Sequence, residues 1–142
     1  MRISDVVKNK GSQVVTMRPD ATVRDLLALL AQHNIGAVVI SEDGSGVDGI
    51  VSERDIVRHL AADGPDVLDG GVSKIMTSDV HTCSAEDDIE SLATEMTQRR
   101  VRHVPVVADG QLQAIVTIGD VVKHRLAQLQ DEKDQLTAYI QQ

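Results

Sequence analysis

Hydrophobic residues in the first half of the chain change period several times, and each change marks an element. Val23, Leu26, Leu27 and Leu30 recur at three- and four-residue spacing, which predicts one apolar face of a helix. Thr22 stands where the cap belongs, with Asp25 three residues later, and Asn34 and Gly36 stop the helix. The β-branched runs Val38-Val39-Ile40 and Ile50-Val51 then predict two short strands around a glycine-rich turn. A further helix begins near Ser52 and buries Ile56, Val57 and Leu60. Ahead of these elements, Ile3, Val6 and Val7 suggest a short helix, Lys10-Gly11-Ser12 a loop, and Val14-Val15-Thr16 a strand.

The same order returns downstream. Val80-His81-Thr82 reads as a lead strand, and Asp88 caps a helix whose apolar face is Ile89, Leu92, Ala93 and Met96. Strands Val101 to Val107 and Leu112 to Val116 flank a turn at Asp109-Gly110, and a helix runs from Thr117 through Val121 and Val122. Ile35 aligns with Val101, Val38 with Val104 and Gly44 with Gly110, each 66 positions apart. After the turn the offset becomes 65, so Ile50 meets Ile115, Ser52 meets Thr117 and Asp55 meets Asp120. One extra residue in the first turn accounts for the change.

The chain is therefore a tandem repeat of two β-α-β-β-α units, of α+β class, joined by a turn-rich linker from Asp63-Gly64-Pro65 to Gly70-Gly71. Residues 1–66 form the first unit with its lead-in, 67–130 the second, and 131–142 a helical tail. Units this small bury little core alone, and two packed sheet to sheet as a pseudo-twofold module would share one. Past Arg125, residues Leu126, Leu129, Leu136 and Ile140 keep three-four spacing, which predicts a helix packing on the body or on a second chain. Two heptads are too few to define a coiled coil.

Composition narrows the function. A formal charge of −8 argues against nucleic acid as partner, because phosphate binding needs surplus Lys and Arg. Tyr139 is the only aromatic residue, so no base-stacking platform exists. Cys83 is alone, which excludes an internal disulfide and a cysteine-rich zinc site. No apolar run approaches the roughly 20 residues of a membrane span, and no signal-peptide core follows Met1. The expected setting is cytoplasmic.

Two motifs carry candidate chemistry. Ser52-Glu53-Arg54-Asp55 and Thr117-Ile118-Gly119-Asp120 share the form [ST]-x-x-D after an apolar strand. That form is first of all a helix capping box, and Thr22-Val23-Arg24-Asp25 is read only as a cap. The other two recur at a strand-to-helix corner, where helix amides favour anions and a carboxylate can accept a ribose diol. On that reading Asp120→Ala would weaken binding with little change in melting temperature. Arg99, Arg100, Arg102 and His103 form the one dense cationic patch. Arg99 and Arg100 suit a helix end; Arg102 and His103 start a strand on opposite faces, so one should point to the repeat interface, where a guanidinium would suit phosphate.

Other features stay structural. Gly44-Ser45-Gly46-Val47-Asp48-Gly49 fits G-x-G-x-x-G, but it joins two strands, whereas a dinucleotide fingerprint closes a strand and opens a helix. The five histidines lack ligand spacing, and Cys83 has no base beside it in sequence. No catalytic motif is visible.

The repeat, with Ile75-Met76-Thr77 before its second copy, the run R-V-R-H-V-P-V-V and the run A-I-V-T-I-G-D, resembles the cystathionine-β-synthase (CBS) domain pair, or Bateman module, in its stand-alone form. The resemblance implies a non-catalytic regulatory module that often forms a homodimer and binds an adenosine ligand such as AMP, ADP, ATP, NAD(H) or S-adenosylmethionine. From charge, hydropathy and the lack of ligand or catalytic motifs, no catalytic cofactor, metal, membrane or nucleic acid is expected; a protein partner is unidentified. In one cleft Thr117 and Asp120 would hold ribose and phosphate, Arg102 and His103 would sit near phosphates, and Thr82 with the Val104, Pro105 and Val106 backbone would flank the base. Ser52, Asp55, Thr16 and the Ala37, Val38 and Val39 backbone would form the other cleft. There Gly36-Ala37 replace Arg102-His103, so phosphate binding would depend on Arg54 or on the other repeat, and the clefts should be unequal. The alternative is an interaction scaffold with vestigial clefts that assembles through its tail helix.

Overall fold

A computed structural model describes residues 1–11 and 13–141, so Ser12 of the expected loop and Gln142 of the tail lie outside the described residues. The order is α1 (Ile3–Lys10), β1 (Thr16–Met17), α2 (Val23–His33), β2 (Ala37–Ile40), β3 (Gly49–Ser52) and α3 (Glu53–Asp63). Two 3-10 turns follow, at Pro65–Asp69 and Val72–Lys74. Then come α4 (Ile89–Arg99), β4 (His103–Ala108), β5 (Gln111–Thr117) and α5 (Ile118–Gln141). This is the mixed α+β class expected from the repeat.

In the first repeat, β1 runs parallel to β2 and β2 antiparallel to β3, with Val38 opposite Val51 and Ala37 opposite Ser52. In the second, β4 and β5 pair antiparallel with His103 opposite Thr117. The expected lead strands are shorter than their β-branched residues suggest. Val14 and Val15 lie outside β1, and Val14 packs instead on the core of the second repeat. Val80-His81-Thr82 is not a strand; Cys83 alone bridges Val106, in the position where Met17 meets Ile40. Proline explains the loss. The Cys83 amide donates to the Pro105 carbonyl at 3.0 Å and the Val107 amide to the Cys83 carbonyl at 2.9 Å. The next rung would need an N–H from Pro105, which proline lacks.

Each repeat has its own apolar cluster, and each is completed from outside. Ile3 and Val6 of α1 join Ile89, Leu92, Met96, Val104 and Val116 of the second repeat. Val72 and Ile75, from the lead-in of the second repeat, join Val23, Leu26, Leu30, Val38 and Ile56 of the first. Small units thus complete their cores by exchanging the segments that lead into them. The helix faces are narrower than the sequence pattern suggests: Leu27, Val57 and Val122 are exposed, each turned about one residue away from the buried row. Val101 precedes β4 and is only partly buried.

Thr77 adds a rung to β3, its amide donating to the Ile50 carbonyl and its carbonyl accepting from the Ile50 amide. This strap lies so close that a Cβ on Gly49 would stand 3.0 Å from the Thr77 carbonyl and closer still to the Met76 thioether. The last predicted helix and the tail form one helix of 24 residues in which Val121 alone is buried. Leu126, Leu129, Leu136 and Ile140 therefore do not pack on the body.

Candidate functional site

Both strand-to-helix corners are built the same way. The first amide of α3 donates to the Gly36 carbonyl and the first amide of α5 to the Arg102 carbonyl, each at 2.9 Å. Both motifs then close as capping boxes. Asp55 Oδ2 accepts from the Ser52 amide and hydroxyl, and the Asp55 amide donates to Ser52 Oγ. Asp120 Oδ2 accepts from the Thr117 amide at 2.9 Å, and the Asp120 amide donates to Thr117 Oγ1 at 3.1 Å. The capping role is thus real at both corners. It corrects the expectation that Asp120→Ala would leave stability unchanged.

The corners differ in what remains. Asp55 is buried, and its second oxygen, Oδ1, accepts from Arg58 at 2.9 Å. Every carboxylate oxygen there is committed. At the second corner, Lys10 from the end of α1 donates to Asp120 Oδ2 at 2.8 Å and to the Ile115 carbonyl at 2.7 Å. Both side-chain bonds to Asp120 fall on Oδ2, so Oδ1 has no protein donor among the described residues. Burial raises the Asp120 pKa, but the bonds from Lys10 and Thr117 outweigh it and hold the carboxyl below its ordinary value.

His103, opposite Thr117 in the β4–β5 ladder, is the side chain that turns to the first repeat. A Cβ added at Gly36 would lie 3.4 Å from its ring and 3.4 Å from Glu53 Oε1. Arg102, on the other face, is exposed. Burial lowers the His103 pKa, helped by Lys10 and Arg102 and opposed by Glu53 and Asp120. Ala37 and Val39 are buried yet lie outside the first repeat's own cluster, because β2 alternates them with the core-facing Val38 and Ile40. The seam beside Gly36 therefore lies between a neutral imidazole, a carboxylate and an apolar strand face.

The structure brings His103, Thr117 and Asp120 to one corner and Ala37, Ser52 and Asp55 to the other. Val38, Val104 and Val106 put their side chains into the cores, which leaves only their backbone to a ligand; Pro105 is buried and Val39 fully so. Thr82 and Arg54 are exposed. Thr16, paired with Val39 in the β1–β2 ladder, also lines a cavity with Arg18, Ser41, Asp43 and Gly44. There Asp43 Oδ1 accepts from the Ser45 and Gly46 amides and from Ser41, which shapes the glycine-rich β2–β3 loop and lowers the carboxyl to about 2. Lys10 and Glu53 are the contributors that sequence reading missed. Lys10 is 110 positions from Asp120, and no local pattern links them. A second cavity is lined by Cys83, Asp87, Asp88, Ser91, Leu92 and Glu95. Burial, with Asp87 and Glu95 nearby, pushes the Cys83 thiol up to about 12, so it is not poised as a nucleophile.

A family model for the CBS domain matches this architecture twice, over residues 3–62 and 72–127. The chain belongs to the CBS-domain family. Both corners and α1 lie inside the two CBS matches, while the outer half of α5 lies beyond them. Over 147 aligned residues the chain is 35% identical to the mitochondrial CBS domain-containing protein CBSX3 of Arabidopsis thaliana, covering 98% of this chain and 71% of that one. The crystal structure of the CBS-domain protein ATU1752 from Agrobacterium tumefaciens superposes with a TM-score of 0.85 at 41% identity, covering 88% of this chain and 99% of that one. The CBS domain pair of protein MJ0100, solved with 5-methylthioadenosine and S-adenosyl-L-methionine, shares the fold at a TM-score of 0.79 and 24% identity, over 90% of this chain and 98% of that one. Among the described residues, no helix of this CBS protein is long and apolar enough to cross a membrane, and no group of three His, Cys, Asp or Glu side chains is placed to hold a metal ion.

Proposed function

We propose that this chain is a non-catalytic regulatory module that binds one adenosine-containing ligand, at the corner of its second CBS repeat. The observation that carries the reading is the pairing of Asp120 with Lys10 beside His103: a carboxylate with Oδ1 open, next to an ammonium at the seam. Asp120 Oδ1 accepts from the ribose diol, the Thr117 hydroxyl bonds sugar or phosphate, and Lys10 meets the phosphate charge, with Arg102 on the outer face of β4. His103 donates as a neutral imidazole. Thr82 and the backbone from Val104 to Val106 flank the base. The ligands of the MJ0100 pair support the adenosine class. The first corner is a structural cap: Asp55 is fully bonded, and Gly36 and Ala37 offer no cation where Arg102 and His103 stand in the second. The proposed setting is the cytoplasm, and the ligand set is AMP, ADP, ATP and NAD(H).

Calorimetric titration with AMP, ADP, ATP and NADH tests this. One site per chain is expected for at least one of them, weakened at least tenfold by Asp120→Asn, which keeps an acceptor for the cap. Absence of heat and of thermal shift with all four overturns the reading, as does unchanged affinity in Asp120→Asn.

A further inference from the structure

The seam holds one charged side chain that no contact explains. Glu53 opens α3 and donates its amide to the Gly36 carbonyl. Its carboxylate has neither an ion-pair nor a hydrogen-bond partner among the described residues, and Arg58 of the same helix is bonded to Asp55 instead. Glu53 Oε1 stands 3.4 Å from the place a Cβ on Gly36 would take, and so does the His103 ring. Glycine leaves that gap, since any side chain at position 36 would press on both. The residue equivalent to Glu53 in the second repeat is Ile118, which carries no charge. The carboxylate is thus present once, and the repeat that supplies it is not the one whose corner is open.

Positive charge at the open corner is scarce. A lysine ammonium has three N–H groups. Two of those on Lys10 go to Asp120 Oδ2 and the Ile115 carbonyl, which leaves one. The amides of Thr117, Ile118 and Asp120 are spent on Asp120 Oδ2, the Arg102 carbonyl and Thr117 Oγ1. Burial, with Lys10 and Arg102 nearby, lowers the pKa of His103, and a neutral imidazole has one N–H to give. Arg102 is exposed on the other face. One free N–H on a single ammonium, beside one imidazole, suits one phosphate. Every further phosphate adds charge at a seam that already carries Asp120 and Glu53, where partial burial makes like charges repel more strongly than in water.

We propose that Glu53, lent by the first repeat, makes the site of the second select its ligand by charge, holding a nucleoside monophosphate and rejecting di- and triphosphates. This specificity rests on the adenosine site placed at that corner. Glu53 leaves the ribose and base contacts alone and acts on the phosphate end, through the gap at Gly36.

Calorimetric titration of the full-length protein with AMP, ADP, ATP and NADH, at low ionic strength and without divalent cations, tests this. Affinity is expected to fall with each added phosphate, ATP binding at least about fivefold more weakly than AMP. Glu53→Gln should narrow the AMP-to-ATP ratio at least about threefold, and Glu53→Lys should narrow it further or reverse it. Glu53 is exposed, so neither change disturbs folding. A purely structural Glu53 would move all the affinities alike and leave the ratio unchanged. Added salt should shrink the wild-type ratio by screening. ATP or NADH binding as tightly as AMP, or a ratio that neither substitution moves, overturns the inference and leaves the site standing. Absence of binding by all four ligands overturns the site itself, and the inference with it.

Discussion

Asp120 does two jobs with two oxygens. Oδ2 closes the cap of α5 and takes the Lys10 ammonium, while Oδ1 has no protein donor among the described residues. Asp120→Ala is therefore expected to cost about 0.5–2 kcal/mol in urea denaturation, the usual range for losing a cap, besides its effect on ligand. Lys10→Met removes the donor that most offsets burial, so the Asp120 carboxyl should titrate higher than in the wild type by NMR. A variant with an unmoved Asp120 titration would show that Thr117 alone holds it. Cys83, buried and carrying a strongly raised pKa, should resist a thiol-specific reagent in native buffer and react once urea exposes it.

Elements here end where a single residue denies them a partner. The lead strand of the second repeat shrinks to Cys83 because Pro105 has no N–H for the His81 carbonyl. Its counterpart in the first repeat has Val39 there and keeps two paired residues. β3 tolerates no side chain at Gly49 because the Met76-Thr77 strap lies against it. Gly49→Ala should destabilise by about 1–3 kcal/mol, the cost of overpacking a close contact, measured as a lower urea midpoint at constant slope. Helix starts and stops were readable because caps are local: Thr22, Ser52, Asp88 and Thr117 bond amides three residues away. Which neighbouring apolar residue is covered was not readable, since Leu27 and Val57 differ from Leu26 and Ile56 only in rotation around the axis.

At the scale of the molecule, the seam makes stability sensitive to mild acid. His103 has a folded pKa below its unfolded value of about 6.5, so the unfolded chain binds more protons as pH falls through that window. Stability is then full above about pH 6.5 and declines down to the folded pKa, where the loss saturates. His103→Gln should flatten this part of the pH profile of ligand-free protein; an unchanged slope between pH 7 and 5 would assign it to other groups. Glu53, Asp120, Lys10 and Arg102 surround the ring and set the size of the effect. The sequence alone determined the tandem repeat, the caps and the conformations of the two hairpins, because each depends on residues within a few positions of one another. Only the tertiary structure decided that α1 completes the core of the second repeat and delivers Lys10 to Asp120. That pairing joins groups 110 positions apart, and a contact made by the folding of two units on each other leaves no periodic trace in either.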